Sequence, residues 1–222
     1  LLWLVLRCTY IQEVHLPSYK ATMVHWRIPE GTVVVNDYPY DRKTLTSVTI
    51  PNSVKVIGRG AFHNCSALQE VTIPNSVTSI ESCAFSKCSA LEDVTIPTSV
   101  KSIGVGAFHF CSALRSVTIP NSVESIAGYA FCECSALEDV AVPNSVKSIG
   151  RHAFNGCSAL VEVTIPISVK SIAGYAFFRC TALVKVTISL ASVESFGKAA
   201  FKDCHTDLVL NLGAVADIDT PN

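Results

Sequence analysis

Apolar and polar positions recur along this chain in blocks of 23 residues. One block, residues 68–90, reads LQEVTIPNSVTSIESCAFSKCSA, and its copies lie on both sides at the same spacing. The opening residues of the copies are Leu45, Leu68, Leu91, Leu114, Leu137, Leu160 and Leu183. A fixed period between about 20 and 50 residues predicts a stacked array, because a single repeat cannot bury its own apolar side chains.

The first half of each block predicts a short β-strand. In the second copy, Val71 and Ile73 are separated by Thr72, and β-branched residues in alternation are typical of a strand. Pro74 follows and has no backbone N–H, so pairing with neighbouring strands is expected to end there.

The second half of the block predicts two further inward-facing pieces. Val77 and Ile80 indicate a second extended segment on the opposite side of the coil. The spacing of Ala84, Phe85 and Cys88 predicts one helical turn with its apolar side facing inward. Stacking would then place one aromatic side chain per repeat in a single row, namely Phe62, Phe85, Phe108, Phe131, Phe154, Phe177 and Phe201.

The regularity of the blocks divides the chain into three parts. Residues 1–44 contain broken copies and are predicted to form divergent N-terminal repeats or a cap, since terminal repeats are commonly atypical. Residues 45–206 hold seven readable repeats. Residues 207–222 are predicted to form a final strand and a frayed tail.

Composition narrows the class of protein. Apolar residues make up 49% of the 222 residues and charged residues 16%, which indicates a folded chain. The formal net charge of -1 gives no electrostatic reason to expect a nucleic acid partner. No run of about 18 apolar residues occurs, so no membrane-spanning segment is predicted. The opening LLWLVL is too short for a signal peptide. The chain begins without Met, so a true N-terminus, with any targeting signal that it carries, is expected to be missing from this sequence.

The ten cysteines do not establish an oxidising compartment, because most of them follow the repeat. Six fall at one phase of the block, namely Cys65, Cys88, Cys111, Cys134, Cys157 and Cys180, and Cys204 continues the series one residue late. A cysteine that occurs once per coil is predicted to be a small buried apolar side chain.

Two segments of the block carry a family resemblance. Val-Thr-Ile-Pro-Asn-Ser-Val-x-Ser-Ile, followed by Ala-Phe-x-x-Cys-Ser-Ala-Leu, strongly resembles the BspA-like class of leucine-rich repeats. The resemblance covers Leu45 to Thr206 closely and residues 8–44 weakly. It implies an α/β-type solenoid dominated by β: a right-handed coil with a parallel concave sheet and short strands or helical turns on the convex side. Members of this class are often surface or secreted proteins implicated in adhesion, and the motif itself is structural.

In such a coil, strand residues between the buried ones face the concave surface. These positions carry a column of threonines beside a mostly acidic column, which would suit a basic partner surface. A merely solvated face is the simpler alternative. The predicted ligand-binding residues are Glu70, Thr72, Asp93, Thr95, Arg115, Thr118, Asp139, Glu162 and Thr164.

No catalytic, cofactor or metal motif is present. The sequence has no Gly-rich phosphate loop, Gly-x-Ser-x-Gly or His-Glu-x-x-His. His63 and His109 share a phase two coils apart and are interpreted as surface residues, and Cys132 and Cys134 lack the spacing usual in zinc sites. Phe110 and Phe178 occupy outer positions and predict a minor apolar contact on the convex side.

The sequence therefore predicts a non-enzymatic scaffold that binds a protein of unknown identity through its concave sheet, without a cofactor. The family resemblance favours a cell-surface or secreted adhesion or interaction role. An intracellular structural scaffold or spacer is the alternative, favoured by the placement of the cysteines.

Overall fold

A parallel β-solenoid of about seven turns forms the body of the protein. The computed structural model describes residues 11–13, 24–36, 42–188, 192–207 and 209–212. Each turn of the solenoid is one 23-residue block and is called a coil here, so coil 1 begins at Leu45 and coil 7 at Leu183. Every coil contributes a strand to a first sheet, a shorter strand to a second sheet, and a turn segment that closes the coil.

The first sheet is formed by the Leu-x-x-Val-Thr-Ile segments. Its strands are β1 (Ile11–Glu13), β2 (Val24–Arg27), β4 (Leu45–Thr49), β6 (Glu70–Thr72), β8 (Asp93–Thr95), β10 (Ser116–Thr118), β12 (Asp139–Ala141), β14 (Glu162–Ile165), β16 (Lys185–Ile188) and β18 (Val209–Leu212). Strand pairing runs unbroken from β1 to β12 and again from β14 to β18. Successive strands pair in parallel and one coil apart, so Val71 lies beside Val94 and Glu70 beside Asp93. Only the β1–β2 pair is antiparallel among the described strands.

The second sheet is formed in coils 2–6 by the Ser-Ile segments predicted as extended, and at its ends by Val-Val, Val-Ile and Ser-Phe segments. Its strands are β3 (Val34–Val35), β5 (Val56–Ile57), β7 (Ser79–Ile80), β9 (Ser102–Ile103), β11 (Ser125–Ile126), β13 (Ser148–Ile149), β15 (Ser171–Ile172) and β17 (Ser195–Phe196). The pairing is interrupted between β9 and β11. Between the two sheets in coils 1–6, the proline carbonyl accepts a hydrogen bond from the valine amide three residues later, as in Pro74 and Val77 at 3.0 Å.

The predicted helical turn is not formed, since the described residues contain no helix. Overlapping β-turns take its place in the turn segments, which are 58–65, 81–88, 104–111, 127–134, 150–157, 173–180 and 197–204. In coil 2, one set of amides donates to the carbonyl three residues earlier, namely Ala84, Ser86 and Cys88. The alternate amides donate to carbonyls of coil 3, namely Cys83, Phe85 and Lys87.

Backbone geometry explains this difference from the prediction. Cys83 and Lys87 have φ of 57° and 63°, whereas an α-helix needs φ near about −63°. Half of the segment's amides bond to the next coil, so they cannot complete a helix. The buried spacing of Ala84, Phe85 and Cys88 fits both structures, and the hydrogen bonds between coils decide in favour of turns.

The core is a continuous row of buried side chains inside the coils. The phenylalanine rings from Phe62 to Phe177 are fully buried and stack on their neighbours, with centroids 5.1–5.5 Å apart. Phe201 extends this row at 5.1 Å. Trp26 packs against Phe62 at 6.2 Å and begins the aromatic row on the N-terminal side. This arrangement agrees with the aromatic row expected from the sequence.

The ends of the array continue its two sheets. Strands β2 and β3 pair with β4 and β5, and β18 pairs with β16. The division at 1–44, 45–206 and 207–222 stays a prediction, because much of the proposed cap and the proposed tail, 213–222, lie outside the described residues.

Candidate functional site

The outward side chains of the first sheet form one exposed surface, which we call the sheet face. In β6, β8, β10 and β12 the middle residue is buried and both flanking residues are exposed, because side chains alternate across a strand. All nine residues predicted for ligand binding are exposed and lie in this sheet or directly before one of its strands. They are Glu70, Thr72, Asp93, Thr95, Arg115, Thr118, Asp139, Glu162 and Thr164.

Negative charge is concentrated on the sheet face. In coils 1–7 it carries six carboxylates and two cations. The carboxylates are Glu70, Glu92, Asp93, Glu138, Asp139 and Glu162, and the cations are Arg115 and Lys185. The near-zero charge of the whole chain therefore conceals an acidic surface.

The acidic column is not uniform. Lys185 donates to Glu162 at 2.9 Å, so the last predicted carboxylate is paired within the protein. Asp93 accepts a hydrogen bond from the Ser116 hydroxyl at 3.2 Å. Among the described residues, no cation pairs with Glu70, Glu92 or Asp93. Glu138 and Asp139 of coil 5 also have no cation partner among the described residues, and the three carboxylates of coils 2 and 3 form the larger of the two unpaired groups.

A shallow depression lies where the unpaired carboxylates meet. It has a volume of about 510 Å³ and is lined by Gln69, Glu70, Val71, Thr72, Glu92, Asp93 and Thr95. Like charges in paired register, such as Glu70 beside Asp93, repel each other in an isolated sheet. A positively charged group in the depression would relieve that repulsion.

The outward side chains of the turn segments form a second surface, which we call the turn face. The turn face carries more cations than carboxylates, whereas the sheet face carries more carboxylates than cations. The charged residues of the turn face are six cations, Arg59, Lys87, Arg151, Arg179, Lys198 and Lys202, and three carboxylates, Glu81, Glu133 and Asp203. All six cations are exposed.

Three aromatic rings stack along the turn face and are called the ring ladder. Tyr129 and His152 lie 4.7 Å apart between ring centroids, and His152 and Tyr175 lie 4.9 Å apart. The ladder was not predicted from the sequence, although the three residues are 23 positions apart. The outer positions of Phe110 and Phe178 were predicted: Phe178 packs against Tyr175, and Phe110 packs against His109, which contacts Tyr129.

Histidines of the turn face lie in an environment that disfavours their charged form. Burial lowers the pKa of His63, and the charges of Lys87 and Arg42 lower it further. Burial also lowers the pKa of His109, with smaller contributions from Lys87 and His63. The pKa of His152 is lowered by burial and then by Arg151. Within the described residues, no three His, Cys, Asp or Glu side chains are grouped as metal ligands would be.

The six cysteines at one phase of the repeat, from Cys65 to Cys180, are buried, and Cys204 at the end of the series is half-buried. The thiol of Cys111 donates to the Phe85 carbonyl of the preceding coil at 3.2 Å, and Cys134 donates to Phe108 in the same way. Burial raises the pKa of Cys111 to about 12 and raises that of Cys134 well above its ordinary value. All nine described cysteines are free thiols. The row thus packs as a buried side chain, as expected, and also bonds neighbouring coils.

The described residues contain no helix that is long and apolar enough to span a bilayer.

Comparisons with known proteins agree with this architecture. The profile of the BspA type leucine-rich repeat region matches residues 33–160 and 124–212, in six copies. A leucine-rich repeat protein from Eubacterium ventriosum is 26% identical with a TM-score of 0.69, over 90% of this chain and 51% of that one. The T. pallidum leucine-rich repeat protein is 25% identical with a TM-score of 0.57, over 93% of this chain and 81% of that one. The chain therefore spans about half the length of the E. ventriosum protein. No curated protein sequence matches the chain.

Proposed function

Because the chain belongs to the BspA-type leucine-rich repeat family, we propose that it is a non-enzymatic scaffold that binds a protein partner through its sheet face. Leucine-rich repeat scaffolds are generally non-enzymatic, and the family is typically one of surface proteins. The proposal includes the cell-surface or secreted adhesion role that the family implies. We also propose that the coil is right-handed and that the sheet face is its concave surface.

One observation carries the proposed binding mode: the unpaired carboxylates around the depression in coils 2 and 3. Glu70, Glu92 and Asp93 converge there without a cation from the described residues. The partner is accordingly a basic protein surface, whose lysine or arginine side chains enter the depression. Thr72 and Thr95 line the same depression and offer hydroxyl groups to such side chains.

Charge complementarity of this kind mainly accelerates association and excludes wrong partners. Exposed charges are screened over about 8 Å at physiological ionic strength. Binding through the sheet face should therefore weaken as salt is added, with the change appearing in the association rate.

The test is surface plasmon resonance of the chain against an array of matrix and cell-surface proteins, including strongly basic ones. Glu70→Lys combined with Asp93→Lys is expected to weaken binding at least tenfold, since it inverts the charge of the depression. The matched control is Glu124→Lys combined with Glu194→Lys, the same charge change at two exposed residues that directly precede strands of the second sheet. Glu194 lies 4.0 Å from Lys170 in an exposed pair, whose loss should cost less than about 1 kcal/mol. The control should bind as the unaltered chain does. Equal binding by both double variants would contradict the proposed mode.

The intracellular spacer remains the second candidate, because the nine described cysteines are free thiols. Locating the protein in its cells of origin, and counting its free thiols in material from that compartment, separates the two roles. A fully reduced intracellular protein that binds nothing on the array would favour the spacer.

A further inference from the structure

The ring ladder lies on the turn face, away from the proposed binding surface, and the fold does not require it. Tyr129, His152 and Tyr175 occupy one position of successive coils, with φ of 58°, 57° and 61°. The same position in coils 1 and 3 is glycine, with φ of 62° in both Gly60 and Gly106. A side chain in this left-handed conformation costs about 1–2 kcal/mol per residue relative to the right-handed region. Glycine would thus adopt this backbone conformation at no such cost. The presence of aromatic side chains at this position in three consecutive coils therefore needs an explanation other than backbone conformation.

Stacking determines which part of each ring is available. One face of Tyr129 and one face of Tyr175 lie against His152, with interplanar angles of 22° and 7°. The two end rings have further edge-on neighbours, His109 at 6.1 Å from Tyr129 and Phe178 at 5.4 Å from Tyr175. Sugars and nucleic acid bases bind aromatic side chains by stacking on open ring faces, so the ladder is unsuited to them. The outward edges remain, and aromatic edges carry partial positive charge. Tyrosine hydroxyl and imidazole N–H groups along the same edge are hydrogen-bond donors.

The surroundings of the ladder are aromatic and cationic. The Arg151 guanidinium lies 5.7 Å from the centroid of the Tyr175 ring, and that of Arg179 lies 5.1 Å from the Phe178 ring. Phe178 packs edge-on against Tyr175 at 5.4 Å. On the other side, Phe110 is 42% exposed, which leaves a large apolar ring open to solvent.

We propose that the ring ladder and its flanks form a second binding surface for an acidic protein segment. Carboxylates of the partner meet Arg151, Arg179 and the ring edges, while its apolar side chains cover Phe110 and Phe178. Within coils 3–6 the turn face carries Arg151 and Arg179 against the single carboxylate Glu133, and the flanking coils add Lys87, Lys198 and Lys202. This excess of cations supplies the charge complementarity. The surface spans coils 3–6 and does not depend on binding at the sheet face.

A protein partner fits this composition better than an acidic polysaccharide. Tyrosine and arginine dominate the residues that contribute most to protein–protein binding. Phenylalanine is enriched at such interfaces, whereas lysine and glutamate are depleted. Phe110 and Phe178 need apolar side chains to cover them, and a polyuronate has none.

The left-handed backbone supplies a test that separates binding from folding. Tyr129→Gly combined with Tyr175→Gly removes two rings and leaves a residue that the backbone accepts, as Gly60 and Gly106 show. The probe is a fluorescein-labelled peptide of glutamate and leucine, compared with its glutamine and leucine analogue by fluorescence anisotropy. We expect the unaltered chain to bind the glutamate peptide at least tenfold more tightly than the analogue. The double glycine variant should lose at least tenfold in affinity without a lower melting temperature.

Cys83→Gly combined with Ala199→Gly is the matched control, because both residues occupy the same left-handed position outside the ladder. Its affinity should stay within about twofold. Arg151→Gln combined with Arg179→Gln should bind both peptides equally, and these exposed side chains can be changed without disturbing the backbone.

Three outcomes would overturn the proposal. The first is unchanged affinity in the Tyr129→Gly and Tyr175→Gly variant. The second is binding of polygalacturonate at least as tight as that of the glutamate peptide, which would assign the surface to acidic polysaccharide. The third is concentration-dependent self-association of the unaltered chain that this variant abolishes, which would make the occupant a second copy.

Discussion

The sheet face and the turn face are built from the same repeat, yet they differ in charge and in how the backbone restricts their side chains. On the sheet face, the strands have ordinary extended backbone conformation, so the exposed positions of each coil can hold many different residue types. On the turn face, two positions per coil have positive φ, and neighbouring coils approach closely. The comparison indicates that acidic residues accumulated where the backbone is permissive. The aromatic residues lie where it is restrictive.

Close approach of the coils also varies along the array. The residue that opens the turn segment is glycine in odd-numbered coils and larger in even-numbered ones. A Cβ added to Gly150 would lie 2.5 Å from the amide nitrogen of Gly128 and 2.7 Å from the carbonyl carbon of Ala127. The small residue is needed where one coil lies against the backbone of the preceding coil.

The largest effect in this comparison is expected from Gly150→Ala. The added methyl group contacts backbone and not a movable side chain, so the coils must separate. Overpacking of this kind costs about 1–3 kcal/mol. Thr118→Ala on the sheet face should change the free energy of unfolding by no more than about 0.5 kcal/mol, since Thr118 is exposed. Urea unfolding followed by circular dichroism measures both, and equal losses would show that the two faces are equally restricted.

Much of this arrangement could be predicted from sequence because the repeat is nearly exact. Each buried position, from Leu68 to Cys88, repeats at one phase, so the inward and outward residues of the strands follow directly. The pairing of Glu162 with Lys185 was also within reach, since the two residues are 23 positions apart. The predominantly negative sign of the column does not by itself reveal this pairing.

The turn face could not be predicted in the same way. The spacing of Ala84, Phe85 and Cys88 suits a helical turn as well as β-turns, and only hydrogen bonds between coils distinguish them. The ring ladder is invisible within any single repeat, because Tyr129 stacks on a histidine of the next coil. Comparing the same position across all coils would have revealed it.

Glycine substitution should have opposite effects on the two faces. Lys87→Gly relieves a left-handed conformation at an exposed side chain, so the free energy of unfolding should rise by up to about 1 kcal/mol. Glu70→Gly places glycine in a strand, which costs about 0.5–1 kcal/mol. The melting temperature of each variant, compared with that of the unaltered chain at pH 7.5, tests whether Lys87→Gly stabilises the protein and Glu70→Gly destabilises it. A decrease in both variants would show that the positive φ at Lys87 carries no strain.

The smallest expected effect is a loss of stability at lower pH, which arises from the histidines of the turn face. The pKa of His63, His109 and His152 is lowered in the folded protein, first by burial and then by nearby cations such as Lys87 and Arg151. The unfolded chain binds protons at the ordinary histidine pKa of about 6.5, whereas the folded chain takes them up only at lower pH. Stability should therefore fall as pH decreases from 7.5 through about 6.5, until the folded-state pKa values are passed.

A decrease of a few degrees in melting temperature is expected between pH 7.5 and 5.5. The triple variant His63→Gln, His109→Gln and His152→Gln should reduce that decrease, since it removes the groups that resist protonation in the folded state. If the triple variant loses as much stability over this range as the unaltered chain, the acid sensitivity arises elsewhere. The turn face would then differ from the sheet face in composition but not in its response to pH.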